Sequence, residues 1–246
     1  MKREEKRAKM AMAPQSVGSD LLSAPELPQL SVEVRGVLFD LDGTLLDTER
    51  LLLTSFRHTM KTVLNEVIPD ERLMAKVGQP LNTQMWDFTD DADVHEELCR
   101  TYREFNAQVH DDLIRIFPGT VEVLAELRRR GYPLGIVTSK RHEAALHGLA
   151  SFGLQNSFDC LIGSDDWPVH KPDPGPVLHG CDLLGVSSSE CVYVGDSPFD
   201  MLAGNGAGCK TIAALWGMFS ESTLRAECPD YICTTIEELP GLLKLA

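Results

Sequence analysis

The chain predicts an α/β protein, a doubly wound parallel sheet carrying an all-helical insertion. Two observations carry that prediction. After Pro118-Gly119, short apolar strand patterns alternate with amphipathic helical patterns to the C-terminus, as in a parallel sheet with right-handed crossovers. Between about Leu51 and Phe117 the periodicity is helical, with no convincing strand.

The elements follow in order. Met1 to about Leu30 holds Pro14, Pro25 and Pro28 among scattered Ser and Gly and reads as a loosely ordered tail. Val34-Arg35-Gly36-Val37-Leu38-Phe39 reads as a buried strand. From Glu49 to about Asn65, Leu52, Leu53, Phe56, Met60, Val63 and Leu64 recur at helical spacing. Asp93 to about Val109 repeats the pattern, with Leu98, Tyr102, Phe105 and Val109 on one face. Between them, Ala75-Lys76-Val77-Gly78-Gln79-Pro80-Leu81 ends one short helix and begins another.

Beyond Gly119 the expected helices are Val121 to Arg130, His142 to Ser151, Gly175 to Leu184, Phe199 to Ala207 and Ile236 to Leu243. The expected strands lie at Leu134, Cys160, Cys191, Thr211 and Tyr231. This divides the chain into a tail (1–30), an α/β core (31–50 and 118–246) and a helical cap (51–117).

Composition narrows the class. At 246 residues and 43% hydrophobic content, the chain can fill one good core and a smaller appended one. No apolar run approaches the roughly 20 residues that span a bilayer, and the charged start, Met1 to Arg7, leads into no signal-like segment. The seven cysteines are odd in number and lack CxxC spacing, so they read as reduced packing residues. A cytoplasmic protein without a membrane partner is expected, as a monomer or small homo-oligomer. The net charge of −14 disfavours nucleic acid, whose binding is driven by cationic surfaces. An anionic substrate remains admissible where a metal and a few local cations reverse the field inside one cleft.

The chemistry concentrates at strand ends. Asp40-Leu41-Asp42-Gly43-Thr44 places two carboxylates after the first strand, where an open parallel sheet binds its ligands. Two anionic groups so close need a cation or a shared proton, although an Asx turn uses the same residue types. Three later segments supply context: Thr138-Ser139-Lys140, His170-Lys171-Pro172-Asp173-Pro174 and Gly195-Asp196-Ser197-Pro198-Phe199-Asp200. Alone, Thr138 can cap a helix, Lys171 can be a solvated charge and Asp196 can cap the next helix. Their order and shared place at strand ends favour a site with a carboxylate nucleophile, an acid, a cation and an anion cradle.

These four segments resemble motifs I to IV of the haloacid dehalogenase superfamily of phosphatases, in the expected order from about Val34 to the C-terminus. Within it, Thr101 to Asn106, His110 to Leu113 and Gly131 to Thr138 resemble the PpaX-type pyrophosphatases, with phosphoglycolate phosphatases as close neighbours. The resemblance implies Asp40 as the nucleophile that forms an aspartyl-phosphate, and Asp42 as general acid and then base. It implies Mg²⁺ held by Asp40, the main-chain carbonyl of Asp42, and Asp196. An all-oxygen set of this kind favours Mg²⁺ over zinc. Thr138 and the Ser139 N–H are expected to hold phosphoryl oxygens, Lys171 to stabilise the charge, and Asp200 to orient either Lys171 or a metal-bound water.

Substrate choice is expected in the cap: the resemblance implies that the loop from Lys76 through Gly78 to Pro80 reaches towards the leaving group, where Lys76 can contact a second phosphate or a carboxylate, or else stand as a solvated helix charge. Lys140 and Arg141 are further candidates, with exposed helix-start positions as the plainer reading. A small anionic phosphate compound is the expected substrate, pyrophosphate ahead of phosphoglycolate. A phosphomutase is the alternative within the superfamily. A receiver-type signalling domain is disfavoured because it needs no cap. A dehalogenase is disfavoured because its chemistry does not need magnesium.

Overall fold

The computed structural model describes residues 33–243, so the expected tail at Met1–Leu30 lies outside the described residues. The chain opens with β1 (Gly36–Phe39) and a two-residue strand β2 (Leu46–Asp47). Helices then follow as α1 (Glu49–Thr59), α2 (Asp70–Met74), α3 (Leu81–Met85) and α4 (Ala92–Leu113). The alternating part comprises β3 (Arg115–Ile116), α5 (Thr120–Arg129), β4 (Leu134–Val137), α6 (His142–Ala150) and β5 (Cys160–Ile162). It continues with α7 (Gly175–Leu184), β6 (Cys191–Gly195), α8 (Pro198–Ala207) and β7 (Lys210–Ala214). It ends with α9 (Glu221–Ala226), β8 (Tyr231–Cys233) and α10 (Leu239–Leu242).

Six strands form one parallel sheet in the order β5-β4-β1-β6-β7-β8. The chain builds outward from β1 to β4 and β5, then returns to the other side for β6, β7 and β8. A crevice therefore opens at the C-terminal ends of β4, β1 and β6, where the winding reverses.

Both sheet faces are covered, which explains why the strands read as continuous apolar runs. Side chains still alternate between the faces. Val37 and Phe39 of β1 join Leu134, Ile136, Val192 and Val194 in one core, packed under α5, α6 and α10. Leu38 points the other way and joins Val137, Cys191 and Tyr193 beneath α7 and α8. Gly135 sits on this second face because a Cβ there would lie 2.5 Å from Cys160 Sγ and 2.7 Å from Leu38 Cδ2.

The inserted cap has an apolar cluster of its own, including Leu52, Phe56, Met60, Leu73, Met85, Leu98 and Tyr102. The helical expectation needs two corrections. Arg115–Ile116 pairs antiparallel with Leu46–Asp47, so the stretch to Phe117 is not free of strand. Two-residue strands leave no detectable period-2 pattern. The helix from Glu49 also changes to a π-helical turn over Met60–Leu64, and Asn65 closes it in the left-handed conformation (φ 54°). No expected element covers α9, a six-residue helix begun by the Ser220 side chain accepting from Thr223 N–H. All seven cysteines are free thiols, and no helix among the described residues is long and apolar enough to cross a membrane.

Gly135→Ala tests the packing of the second face. It is expected to lower unfolding free energy by about 1–3 kcal/mol, as overpacking does, measured by urea denaturation. Cys160→Ala in the same background should return part of the loss.

Candidate active site

Three adjacent strands end on the same edge. Phe39 pairs with Ile136 on one side and Val194 on the other, so Asp40, Thr138 and Asp196 leave the sheet side by side. Asp40 N–H still donates to Val194 carbonyl at 2.9 Å, which fixes its backbone before the chain turns at Leu41. Gly43 (φ 84°) must be glycine, because a Cβ there would lie 2.2 Å from Asp196 Oδ2.

Lys171 is the buried centre of the site. Its Nζ lies 2.9 Å from Asp40 Oδ1 and 2.6 Å from Asp200 Oδ1, and all three side chains are almost wholly buried. The approach to Asp40 Oδ1 is off the direction a hydrogen bond requires, so that oxygen keeps an ion-pair contact and no hydrogen bond. Asp200 is spoken for on every side. Its Oδ1 accepts from Lys171 and lies 2.9 Å from the Tyr193 hydroxyl; its Oδ2 accepts from Ser197 N–H and Oγ–H. Ser197 and Asp200 form the capping box that starts α8.

Asp196 is buried beside them. Its Oδ1 accepts from the Thr44 hydroxyl at 3.2 Å and its Oδ2 from Met218 N–H at 2.8 Å. Oxygens of Asp40, Asp196 and Asp200 fall within 4.8 Å of one another. Burial raises the Asp40 carboxyl to about 7, with Lys171 opposing. Burial, then Asp200 and Asp40, hold Asp196 well above the usual carboxylate range. Lys171 is raised because Asp200 and Asp40 outweigh the cost of burial.

Three buried carboxylates against one ammonium leave this pocket short of positive charge. The donors are all oxygen, Asp40 Oδ1 lacks a hydrogen bond and Asp196 retains free lone pairs. The residues therefore fit a small hard cation. Asp200 is already engaged by Lys171 and by the Ser197 N–H and hydroxyl, and fits a positioning role.

Asp42 stands at the rim. Lys140 Nζ donates to its Oδ1 at 2.6 Å, so Lys140 turns inward to the Asp42 carboxylate rather than lying in solvent as a helix-start charge. The Ser139 hydroxyl donates to the Gly78 carbonyl at 2.5 Å. A Cβ on Gly78 (φ 101°) would lie 2.7 Å from Ser197 Oγ, so glycine lets the cap loop seat against the strand-end loops. A cavity of about 870 Å³ runs from Asp40, Asp42 and Thr138 along this loop.

The expected site residues Asp40, Asp42, Thr138, Ser139, Lys171, Asp196, Asp200 and Gly78 thus gather in one region. Lys76 does not join them: it is absent from the cavity wall and its ammonium pairs with Asp87. Loop spacing places it near the site, but its direction is set by Asp87, which lies beyond α3 in the same stretch of the cap. Tyr193 and Met218 were not anticipated. A tyrosine in a strand buried on both faces is a usable signal, because its hydroxyl must find a partner. The Met218 contribution is a backbone N–H, which no side-chain pattern reveals.

Comparison with known proteins agrees with this geometry. Residues 37–214 match the family model described as haloacid dehalogenase-like hydrolase. A pyrophosphatase PpaX from Halalkalibacterium halodurans is 36% identical over 214 residues, covering 87% of this chain and 97% of that protein. Another from Bacillus velezensis is 36% identical over 206 residues, covering 84% and 94%. A haloacid dehalogenase-like family hydrolase from Streptococcus pneumoniae superposes with TM-score 0.75 at 25% identity, over 84% of this chain and 97% of that one. A predicted phosphoglycolate phosphatase from Haemophilus somnus shares the fold, with TM-score 0.78 at 23% identity over 85% and 98%. With its family match spanning the sheet from β1 to β7 and the strand-end carboxylates gathered about Lys171, this chain belongs to the haloacid dehalogenase-like hydrolases.

Proposed function

We propose that the protein is a Mg²⁺-dependent phosphohydrolase that transfers a phosphoryl group to Asp40 and then to water. The carrying observation is the buried Asp40–Lys171–Asp200 arrangement, with Asp42 beside it at the mouth of the cavity. Pyrophosphate is favoured over 2-phosphoglycolate because the relatives at 36% identity are named PpaX pyrophosphatases. Asp40, Asp196 and the Asp42 main-chain carbonyl are the proposed holders of Mg²⁺. When bound, the ion supplies the positive charge that three buried carboxylates lack and lets an anion approach an anion.

In the first half-reaction an Asp40 oxygen attacks phosphorus and the bond to the leaving oxygen breaks. Asp42 donates a proton to that oxygen. Lys171 faces Asp40 and offsets charge on the phosphoryl group, while Thr138 and the Ser139 N–H hold its oxygens. Asp200 keeps Lys171 in place through the 2.6 Å contact. In the second half-reaction Asp42 takes a proton from water, which attacks the phosphorus and returns Asp40 as a carboxylate. The Ser139 hydroxyl donates to the Gly78 carbonyl and so seats the cap loop against the strand-end loop that holds the phosphoryl oxygens. A cytoplasmic setting is part of this reading, in keeping with the seven free thiols.

Asp40→Asn is expected to abolish phosphate release while leaving the far-UV circular dichroism spectrum unchanged, since the amide is nearly isosteric but a poor nucleophile. Substantial remaining turnover would remove Asp40 from its role. Asp42→Asn should reduce turnover by roughly 10²–10⁴ for an alkyl phosphate, the range of a positioned acid. The loss should be smaller for p-nitrophenyl phosphate, whose leaving group needs less protonation. Equal losses for the two esters would contradict the acid role.

A further inference from the structure

The cavity extends well past the groups that engage a transferring phosphoryl, and its far wall is helix α4. Arg103, Ala107 and His110 line that wall, at i, i+4 and i+7, so one helical stripe faces the space. The basic side chains on the cavity surface, Lys140, Arg141 and Arg103 with His110, His147 and His170, are not equally available. Lys140 is taken by Asp42 at 2.6 Å and Arg141 by Asp165 at 3.1 Å. His110 and His147 share the Asp111 carboxylate, at 2.8 and 3.0 Å. Among the described residues Arg103 has no carboxylate within ion-pair distance.

Arg103 is instead oriented by a neutral group. Its Nη2 donates to Asn82 Oδ1 at 2.6 Å. Asn82 is itself held, because its main-chain carbonyl lies 2.8 Å from His95 Nε2 and its Oδ1 also accepts from Cys99 Sγ–H at 3.4 Å. An amide oxygen positions a guanidinium without cancelling its charge, and most of the five N–H donors remain for a ligand. In a chain of net charge −14, an unneutralised arginine on a cavity wall calls for an anion. A planar fork matches a phosphate or carboxylate through paired hydrogen bonds.

We propose that Arg103 binds the second anionic group of the substrate, beyond the phosphoryl that Asp40 receives, and thereby selects substrates with two anionic ends. The proposal rests on the phosphohydrolase reading above. It assigns to α4 the contact that the sequence suggested for Lys76. Pyrophosphate and phosphoglycolate both meet the requirement; p-nitrophenyl phosphate, with a neutral leaving group end, does not.

The test compares kcat/KM for these three substrates in wild-type protein, Arg103→Gln and Arg103→Lys at one saturating Mg²⁺ concentration. The ratio of pyrophosphate, or of phosphoglycolate, to p-nitrophenyl phosphate is expected to fall roughly tenfold or more in Arg103→Gln, the scale of a charge-assisted hydrogen bond. Much of the change should appear in KM, and Arg103→Lys should restore part of it by returning the charge without the fork. Arg103 is solvent-exposed, and matching thermal melts will show that the variants fold. An unchanged ratio, with all three substrates turned over, overturns the role of Arg103 and leaves the phosphohydrolase reading standing. A wild-type protein that hydrolyses p-nitrophenyl phosphate but neither two-anion substrate overturns it as well. No turnover of any of the three by wild-type protein overturns both.

Discussion

The buried contact of Lys171 with Asp40 and Asp200 is the constraint on which the site depends. An ammonium and two carboxylates removed from water are costly unless each is paired and hydrogen-bonded. Asp200 meets this requirement through Lys171 and the Ser197 backbone and hydroxyl, with the Tyr193 hydroxyl shared between its Oδ1 and the Val137 carbonyl. Asp40 does not meet it, since one of its oxygens lacks a hydrogen bond. Removing one partner of such a group typically costs about 3–5 kcal/mol, so the same residues that serve chemistry also hold the strand ends together. The incomplete satisfaction falls on the proposed nucleophile, where a cation and a substrate oxygen are to bind.

The fold supplies this arrangement through topology. Asp40, Thr138 and Asp196 follow β1, β4 and β6, which are neighbours in the sheet though far apart in sequence. Parallel pairing brings their ends to one edge, and the reversal of winding opens the crevice there. Lys171 arrives from the long loop after β5. Small residues then permit close approach: Gly43 and Gly217 both lie where a Cβ would meet Asp196 within 2.2 Å. The cap contributes at Gly78, whose carbonyl accepts from Ser139.

Much of this was legible in the sequence. The alternating strands and helices were evident because a sheet covered on both faces yields uninterrupted apolar runs, such as Val37-Leu38-Phe39 and Val192-Tyr193-Val194. The strand-end carboxylates were legible because Asp-Gly and Asp-Ser pairs break those runs abruptly. What escaped depends on distance in space. The pairing of Leu46–Asp47 with Arg115–Ile116 joins segments too short to carry a period. Lys76 and Arg103 are both cap cations, and local sequence cannot reveal that Asp87 takes the first while neutral Asn82 holds the second. Lys140 illustrates the converse, a helix-start lysine that turns inward because Asp42 awaits it.

The central claim, that phosphoryl passes through Asp40, is tested most directly by trapping the protein during turnover. Acid quench followed by peptide mass spectrometry should find phosphate on the peptide containing Asp40, and hydroxylamine should convert that acyl-phosphate to a hydroxamate at the same residue. Its amount should rise and fall with substrate consumption and vanish in Asp40→Asn. Turnover at full rate with no covalent phosphate at Asp40, or with phosphate on another residue, would contradict the account.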